Sequence, residues 1–367
     1  MAGASVLAVM AVAVVASCLL VAGGAESLNG TTTATAKAAP AVPAVIIFGD
    51  SIVDPGNNNA IKTIVKCDFP PYGKDFSGHA ATGRFSNGKI PGDFIASSLG
   101  VKELVPPYLG TNLGPEDLLT GVSFASGATG YDPLHPPPFL SVISMPDQLK
   151  MFAEYKEKLK GIAGEARAAG IISGSLFVVC AGSDDLANTY YTTPFRKPHY
   201  DVPSYVNLLV SSASDFLQKL HGMGARRIAF LGLPPIGCLP SQITLAGGIN
   251  IRECIPSRNE AARLYNSKIN EEIKRLSGSF RGTRLIFIDI YSVLLDLIQR
   301  PTSYGFEVAN KGCCGTGELE VSILCNRKSP TCPDDTKYVF WDSYHPTEKA
   351  YKIIVDKVLQ KYIKDIL

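Results

Sequence analysis

Short runs of apolar residues recur along the chain, and each run ends in Gly, Ser or Asp. Five of them lie at residues 45–48, 121–125, 176–181, 227–231 and 285–290. They are rich in β-branched and aromatic residues and lack strict alternation, a pattern typical of parallel strands that are buried on both faces. The pattern therefore predicts a central parallel sheet of about five strands.

Between these runs the apolar residues take up helical spacing. The spacing predicts helices over 146–168, 203–222 and 256–277, and a last helix that ends near Leu367 and carries Ala350, Ile354 and Val358 on one face. Alternating strands and helices predict an α/β protein, a three-layer α/β/α sandwich with right-handed crossovers. No linker rich in Pro or Gly follows Pro43, so residues 44–367 are predicted to form a single domain.

The N-terminus has a different composition. Residues 1–25 contain no Lys, Arg, Asp or Glu, and small residues at 22–25 suit a signal peptidase, so this segment is predicted to be a cleaved secretory signal. The apolar run is long and no basic residue precedes it, which leaves an uncleaved membrane anchor as the alternative. Residues 26–43, rich in Ala, Thr and Pro, are predicted to be a disordered mature N-terminus, and Asn29 is a candidate glycosylation site there.

The net charge and its distribution along the chain bear on whether the protein binds nucleic acid. The chain has 35 basic and 33 acidic residues, a net charge of +2, and no block of like charge. A surface for nucleic acid therefore has no support in the sequence.

The chain has nine cysteines, and their distribution is typical of an exported protein. Cys18 belongs to the predicted signal, Cys180 lies in an apolar run and is predicted to be a buried thiol, and Cys67 is left unassigned. The other six lie in predicted loops, where secreted proteins place disulfides: Cys238, Cys254, Cys313, Cys314, Cys325 and Cys332. Cys238 and Cys254 bracket a short loop and are predicted to pair, so the remaining four would pair among themselves. A zinc site is the alternative, although no C-x2-C pair is present.

Candidate chemistry stands at the carboxyl ends of the predicted strands, where α/β folds place their sites. Ser51 follows the first run, and Asp342 and His345 come just before the last helix. A serine hydroxyl becomes a nucleophile when a base takes its proton, and that base needs a carboxylate to fix its tautomer. Because Asp342 and His345 are three residues apart, one tight turn presents both side chains together. The three residues are predicted to form a catalytic triad, without the G-x-S-x-G elbow of α/β-hydrolases.

Several sequence blocks resemble those of plant GDSL-type esterases and lipases, a branch of the SGNH hydrolases. They keep the family's order over about three hundred residues and lie at 48–59, 70–73, 82–88, 121–126, 233–238, 312–317 and 338–348. The resemblance implies the flavodoxin-like SGNH hydrolase fold. It also implies a secreted esterase or lipase that forms an acyl-serine intermediate on lipid or other acyl esters, with no metal or cofactor.

The family's site residues carry over by position. Ser51 matches the nucleophile and one oxyanion donor, His345 the base and Asp342 its orienting partner. Gly127 matches the glycine that supplies a second oxyanion donor, although Ala128 occupies the neighbouring position.

Asp184 departs from the family, which places an oxyanion-donating Asn at this position. An ionised carboxylate donates no hydrogen bond and repels a developing oxyanion. The same substitution resembles the pollen-coat extracellular lipase branch of the family. Three accounts stay open: a protonated Asp184, an oxyanion hole of backbone amides alone, or a weakened enzyme.

Two other functions stay open with the esterase. One is a secreted lipid-binding or structural protein on a weakened hydrolase scaffold, and the other is an acyltransferase that uses the same triad. In each case the expected partner is a small-molecule or lipid acyl ester, and the expected location is the cell wall or extracellular matrix.

Overall fold

Four parallel strands form the central sheet. In the computed structural model, which describes residues 40–134, 141–248 and 250–367, they lie side by side in chain order as β1 (Val45–Gly49), β2 (Leu176–Cys180), β3 (Arg227–Leu231) and β4 (Arg284–Ile288). Ile47 stands opposite Val178, and Val178 opposite Ala229. β1 and β2 are buried along their whole length, as the apolar runs predicted.

The fifth predicted strand, at 121–125, lies beside β1 without extending the sheet as a regular strand. The Ile47 N–H donates to the Val122 carbonyl at 3.1 Å, and the Phe124 N–H donates to the Ile47 carbonyl at 2.8 Å. A parallel bridge pairs Ile47 with Ser123, and the Ser126 N–H donates to the Gly49 carbonyl at 2.9 Å. With this segment counted, the order of the sheet is that of flavodoxin-like folds.

Helices cover both faces of the sheet. They are α1 (Pro91–Ser98), α2 (Pro115–Thr120), α3 (Met145–Ala163), α4 (Glu165–Gly174), α5 (Val202–Gly222), α6 (Pro240–Leu245), α7 (Pro256–Ser279), α8 (Tyr291–Gln299) and α9 (Glu348–Ile366). α1, α8 and α9 pack together on one face, and α3, α5 and α7 on the other. On that second face, Phe48 packs against Phe152 of α3 and Phe216 of α5. The predicted three-layer α/β/α sandwich is confirmed.

The prediction of one continuous helix over 146–168 is wrong, because the first helix stops within this range. It ends at Gly164, whose φ of 78° and ψ of 159° lie outside the helical region and favour glycine. A separate helix, α4, begins at the next residue and runs to Gly174. The other predicted helices match α5, α7 and α9 within a few residues.

A second, smaller sheet was not predicted. It pairs β5 (Val308–Gly312) with β6 (Tyr338–Phe340) in parallel. β5 has the sequence VANKG, which carries too few apolar residues to stand out as a strand. This small sheet matters because β6 leads directly into the turn that contains Asp342 and His345.

Shorter helical turns connect the larger elements. A π-helix, Asp185–Tyr190, follows β2. Turns of 3-10 helix lie at Asn57–Ala60, Ser77–His79, Ile236–Cys238, Pro301–Tyr304, Ser322–Leu324 and Asp335–Lys337.

The predicted signal at 1–25, Asn29 and most of the predicted tail lie outside the described residues. The last part of that tail is packed on the domain: the Ala41 N–H donates to the Leu99 carbonyl at 3.0 Å, and Val42 is buried. The domain therefore includes residues before 44, and the described residues from Pro40 onward belong to one compact unit. Over the described ranges, no helix is both long and apolar enough to cross a bilayer.

Candidate active site

The turn after β1 places Ser51 at the carboxyl edge of the sheet. Gly49 has a φ of 145°, and a Cβ there would lie 1.9 Å from the Cys180 carbonyl oxygen, so only glycine fits. Gln148 holds this turn from α3: its Oε1 accepts from the Gly49 N–H and its Nε2 donates to the Gly49 carbonyl, both at 2.9 Å. The Asp50 N–H donates to the Cys180 carbonyl at 2.9 Å. These bonds fix the backbone of the two residues that precede the serine.

Asp50 shapes the same turn. Its Oδ1 accepts from the Ile52 N–H at 3.0 Å. Burial raises the pKa of this carboxyl well above its usual value, and the nearby Asp184 carboxylate raises it further. Burial beside Asp184 therefore disfavours the charged form of the Asp50 carboxyl next to Ser51.

The turn after β6 presents Asp342 and His345 together, as their spacing predicted. The Trp341 N–H donates to the His345 carbonyl at 2.7 Å and closes the turn. Asp342 Oδ1 accepts from the backbone N–H groups of Tyr344 at 2.8 Å and His345 at 2.7 Å. The carboxylate thus organises the loop as well as facing the imidazole.

The structure brings Ser51, His345 and Asp342 into one hydrogen-bonded chain. His345 Nε2 lies 2.7 Å from Ser51 Oγ, and His345 Nδ1 lies 2.8 Å from Asp342 Oδ2. The exposed fractions are 9% for Ser51, 4% for His345 and 0% for Asp342. A carboxylate beside Nδ1 selects the tautomer with its proton on that nitrogen, so Nε2 is left to accept the serine proton.

Tyr72 is a positioning residue that sequence reasoning missed. Its hydroxyl donates to Asp342 Oδ2 at 2.8 Å and accepts from the Ser322 N–H at 2.8 Å. Burial raises the pKa of Tyr72 well above its usual value, and the Asp342 carboxylate raises it further, so the hydroxyl keeps the proton that it donates. The block at 70–73 matched the family, but nothing in it indicated a partner 270 residues away.

We expect Tyr72→Phe to lower kcat about tenfold, because a hydrogen bond to a charged group contributes about 1.5 kcal/mol. Tyr155→Phe is the matched control: that buried hydroxyl donates to the Leu118 carbonyl, away from the triad. Steady-state kinetics on a soluble ester, with thermal unfolding of both variants, checks the prediction. An equal loss of kcat in the two variants would contradict a role for Tyr72 through Asp342.

Three disulfides join cysteines within the described ranges. Cys238 pairs with Cys254, as predicted, and a loop of this size stabilises the fold by about 3 kcal/mol. The other four pair among themselves, Cys313 with Cys332 and Cys314 with Cys325. Because all six sulfurs are in disulfides, none is a thiolate ligand for zinc. Cys67 and Cys180 are buried thiols.

Two of these disulfides brace the segment that leads to the triad. The Cys313 N–H donates to the Phe340 carbonyl at 3.0 Å, and the Cys314 N–H donates to the Trp341 carbonyl at 2.8 Å. We therefore expect Cys314→Ala/Cys325→Ala to lower kcat while the helix content measured by circular dichroism is kept. A double variant with wild-type kcat would show that the bridge does not hold the catalytic turn.

Of the two backbone N–H groups predicted to bind the oxyanion, the one of Ser51 is available and the one of Gly127 is not. No acceptor contacts the Ser51 N–H within the described ranges, so this group is available to an oxyanion. Gly127 was predicted as the second donor, but its N–H donates at 2.9 Å to Oδ2 of the buried Asp54. That bond commits the Gly127 amide to the loop. The neighbouring Ala128 has a φ of 62°, a conformation that favours glycine.

Asp184 lies beside the triad, in the wall of the same cavity as Ser51 and His345. Its Oδ1 accepts from Nδ2 of Asn188 at 2.5 Å, and Oδ1 of Asn188 accepts from the Tyr344 hydroxyl at 2.5 Å. The Asp184 side chain makes no capping bond to the π-helix that follows it. Asn188 therefore fixes the direction of one carboxylate oxygen of Asp184.

The same hydrogen-bonded chain continues to a buried cation. Gln242 Nε2 donates to the Ala187 carbonyl at 3.2 Å and to the Tyr344 hydroxyl at 3.4 Å, while its Oε1 accepts from Arg258 at 2.5 Å. Because Arg258 can only donate, it orients every donor in the chain toward Asp184. We name these residues the Asp184 relay: Arg258, Gln242, Tyr344, Asn188 and Asp184.

The chain is similar to known proteins over most of its length. The family of GDSL-like lipases and acylhydrolases matches residues 45–358. The chain is 56% identical to the GDSL esterase/lipase EXL3 of Arabidopsis thaliana over 327 residues, 89% of each chain. It is 49% identical to the GDSL esterase/lipase EXL2 of the same plant, over 90% of this chain and 92% of that protein.

Solved structures are more distant. A catalytic mutant of Axe2, an acetylxylan esterase from Geobacillus stearothermophilus, aligns with a TM-score of 0.38 and 12% identity over 89% of this chain and 95% of its own. An extracellular lipase from Streptomyces rimosus aligns with a TM-score of 0.38 and 12% identity over 86% of this chain and 98% of its own. From the family match and the Arabidopsis relatives, the chain belongs to the GDSL-like lipase/acylhydrolase family.

Proposed function

We propose that this ester hydrolase attacks its substrate with the Ser51 hydroxyl and works through an acyl-serine intermediate. The observation that carries the proposal is the chain from Ser51 Oγ to His345 Nε2 at 2.7 Å and from His345 Nδ1 to Asp342 Oδ2 at 2.8 Å. Those distances are within the range needed for proton transfer and for orientation of the base.

In the acylation step, Oγ of Ser51 bonds to the ester carbonyl carbon as its proton moves to His345 Nε2. Asp342, held by Tyr72, stabilises the imidazolium, and the Ser51 N–H donates to the carbonyl oxygen as it becomes an oxyanion. The oxyanion then collapses, the bond to the alkoxy oxygen breaks, and His345 gives its proton to the departing alcohol. Water repeats the sequence on the acyl-serine, which releases the carboxylic acid and restores the serine.

Secretion is part of the proposal. The apolar N-terminal segment and the three disulfides support it, because such bridges persist in oxidising compartments. The expected partners are lipid or other small acyl esters, and the near-neutral net charge of +2 gives no support to a nucleic-acid role.

Covalent labelling tests the function directly. A fluorophosphonate probe bonds to a serine only when a base has activated its hydroxyl, so we expect one labelled peptide, the one that contains Ser51. Labelling that is lost in His345→Ala but kept in the control Tyr155→Phe would support the triad. A folded protein that takes up no probe would point instead to a lipid-binding protein on a hydrolase scaffold.

A further inference from the structure

Two loops, residues 61–68 and 319–328, meet beside the catalytic turn, and we name them the paired loops. Ser322 joins them, because its Oγ accepts from the Lys66 N–H at 3.0 Å. The Ser322 N–H donates at 2.8 Å to the hydroxyl of Tyr72, which in turn donates to the triad carboxylate. The paired loops therefore form one surface that is bonded to the support of the triad.

Three apolar side chains stand exposed on the paired loops. The exposed fractions are 57% for Ile64, 49% for Ile323 and 55% for Leu324. The Ile64 carbonyl oxygen lies 3.2 Å from Oγ of Ser322, the residue that directly precedes the other two, so the three stand close together. Single exposed apolar residues are ordinary on a protein surface, whereas a cluster of them marks a site of interaction.

The fold holds this cluster at the surface. Ser322 has a φ of 51°, in the left-handed region that favours glycine, and its hydrogen bonds to the first loop keep it there. Directly after Leu324, the disulfide between Cys314 and Cys325 ties the second loop to the segment that braces the triad. Ile323 and Leu324 thus cannot turn inward without breaking these bonds, so their exposure is part of the fold.

Cations without a carboxylate partner surround the cluster. Lys62, Arg327 and Lys328 are exposed, and none of them forms an ion pair with another described residue. The carboxylate of Glu320 is turned toward its own loop, where it accepts from the Thr316 N–H at 2.9 Å. Basic residues outnumber acidic ones on the paired loops, with Lys62, Lys66, Arg327 and Lys328 against Asp68 and Glu320. The surface therefore attracts anions.

We propose that the paired loops bind the surface of an anionic lipid membrane. The apolar side chains enter the boundary between head groups and acyl chains, and the cations lie against the lipid phosphates. The apolar cluster favours lipid over an acidic polysaccharide, which offers charge without an apolar phase. The inference goes beyond the proposed function, because it assigns an interaction surface and requires no reaction at Ser51.

The test measures sedimentation with vesicles of equimolar phosphatidylcholine and phosphatidylglycerol, in the Ser51→Ala background so that no lipid is hydrolysed. We expect Ile323→Asp to weaken binding about tenfold or more, because burial of an isoleucine contributes at least that factor. Ile162→Asp is the matched control and keeps the affinity: this exposed isoleucine lies in the last turn of α3, whose first turn carries Gln148 at the edge of the triad. If Ile323→Asp does not fold, Leu324→Asp replaces it.

Charge reversal tests the cations. We expect Arg327→Glu/Lys328→Glu to weaken binding to the same vesicles about tenfold or more, and high salt to weaken binding of the parent protein. Arg167→Glu/Arg281→Glu makes the same change in net charge at exposed arginines outside the paired loops and keeps the affinity.

Two outcomes would overturn the proposal. One is that the parent protein leaves these vesicles unbound, and the other is that charge reversal weakens binding while Ile323→Asp does not, which would indicate a polyanion without an apolar phase. Fluorophosphonate labelling of the wild type separates the two proposals. Vesicle binding without labelling would keep the membrane surface and reject the hydrolase, and labelling without vesicle binding would do the reverse.

Discussion

Ser51→Ala is expected to lower kcat for ester hydrolysis by roughly 10⁴-fold or more, the loss seen when a serine nucleophile is removed from a triad. The reason is geometric: His345 Nε2 lies 2.7 Å from Ser51 Oγ, and this imidazole is held by Asp342 on its other side. Without the hydroxyl, no acyl-enzyme can form, and only water activated by His345 remains.

The measurement is a burst and steady-state assay on a soluble activated ester. Ser303→Ala, at an exposed serine far along the chain, serves as the control and should keep wild-type turnover. Thermal unfolding of both variants shows whether the fold is kept. Turnover near the wild-type rate in a folded Ser51→Ala would move the chemistry to another residue.

The triad was predictable because local sequence sets most of its geometry. A buried strand followed by a glycine turn places Ser51 at the sheet edge, and a spacing of three residues lets Asp342 face His345 while it accepts from the backbone of the same turn. Both features can be read from the local sequence, although distant residues also hold the two turns in place. The apolar runs predicted the sheet and its flanking helices for the same reason.

Residues that act across the fold were not predictable. Gln148 reaches Gly49 from α3, and Tyr72 reaches Asp342 from a loop, yet neither residue shows a distinctive local pattern. Gly127 was assigned wrongly because its N–H partner, Asp54, is 73 residues earlier in the chain. β5 was missed because only β6 and the disulfide-linked loop make its polar sequence extended. Contacts between distant segments, rather than local propensity, decide these cases.

Asp184 is the position where the chain departs from its family. The Asp184 relay sets the orientation that an asparagine side chain would take at this position. Asn188 donates to one side-chain oxygen of residue 184, and Arg258 fixes the direction of that donation through Gln242 and Tyr344. An asparagine at 184 must therefore keep its oxygen toward Asn188. Its Nδ2 then takes the position of the other carboxylate oxygen, on a residue that lines the same cavity as Ser51 and His345.

Asp184→Asn is consequently expected to raise kcat on a simple activated ester by about 10²-fold, since one oxyanion donor contributes about that factor. It replaces a carboxylate that repels the oxyanion with a group that donates to it. The double variant Asp184→Asn/Asn188→Leu tests the orientation: without the Asn188 donor the new amide is no longer held, so we expect most of the gain to be lost. Steady-state kinetics at neutral pH, with unfolding curves for each variant, decides the question. A folded Asp184→Asn that is no faster than wild type would show that residue 184 has no part in stabilising the oxyanion.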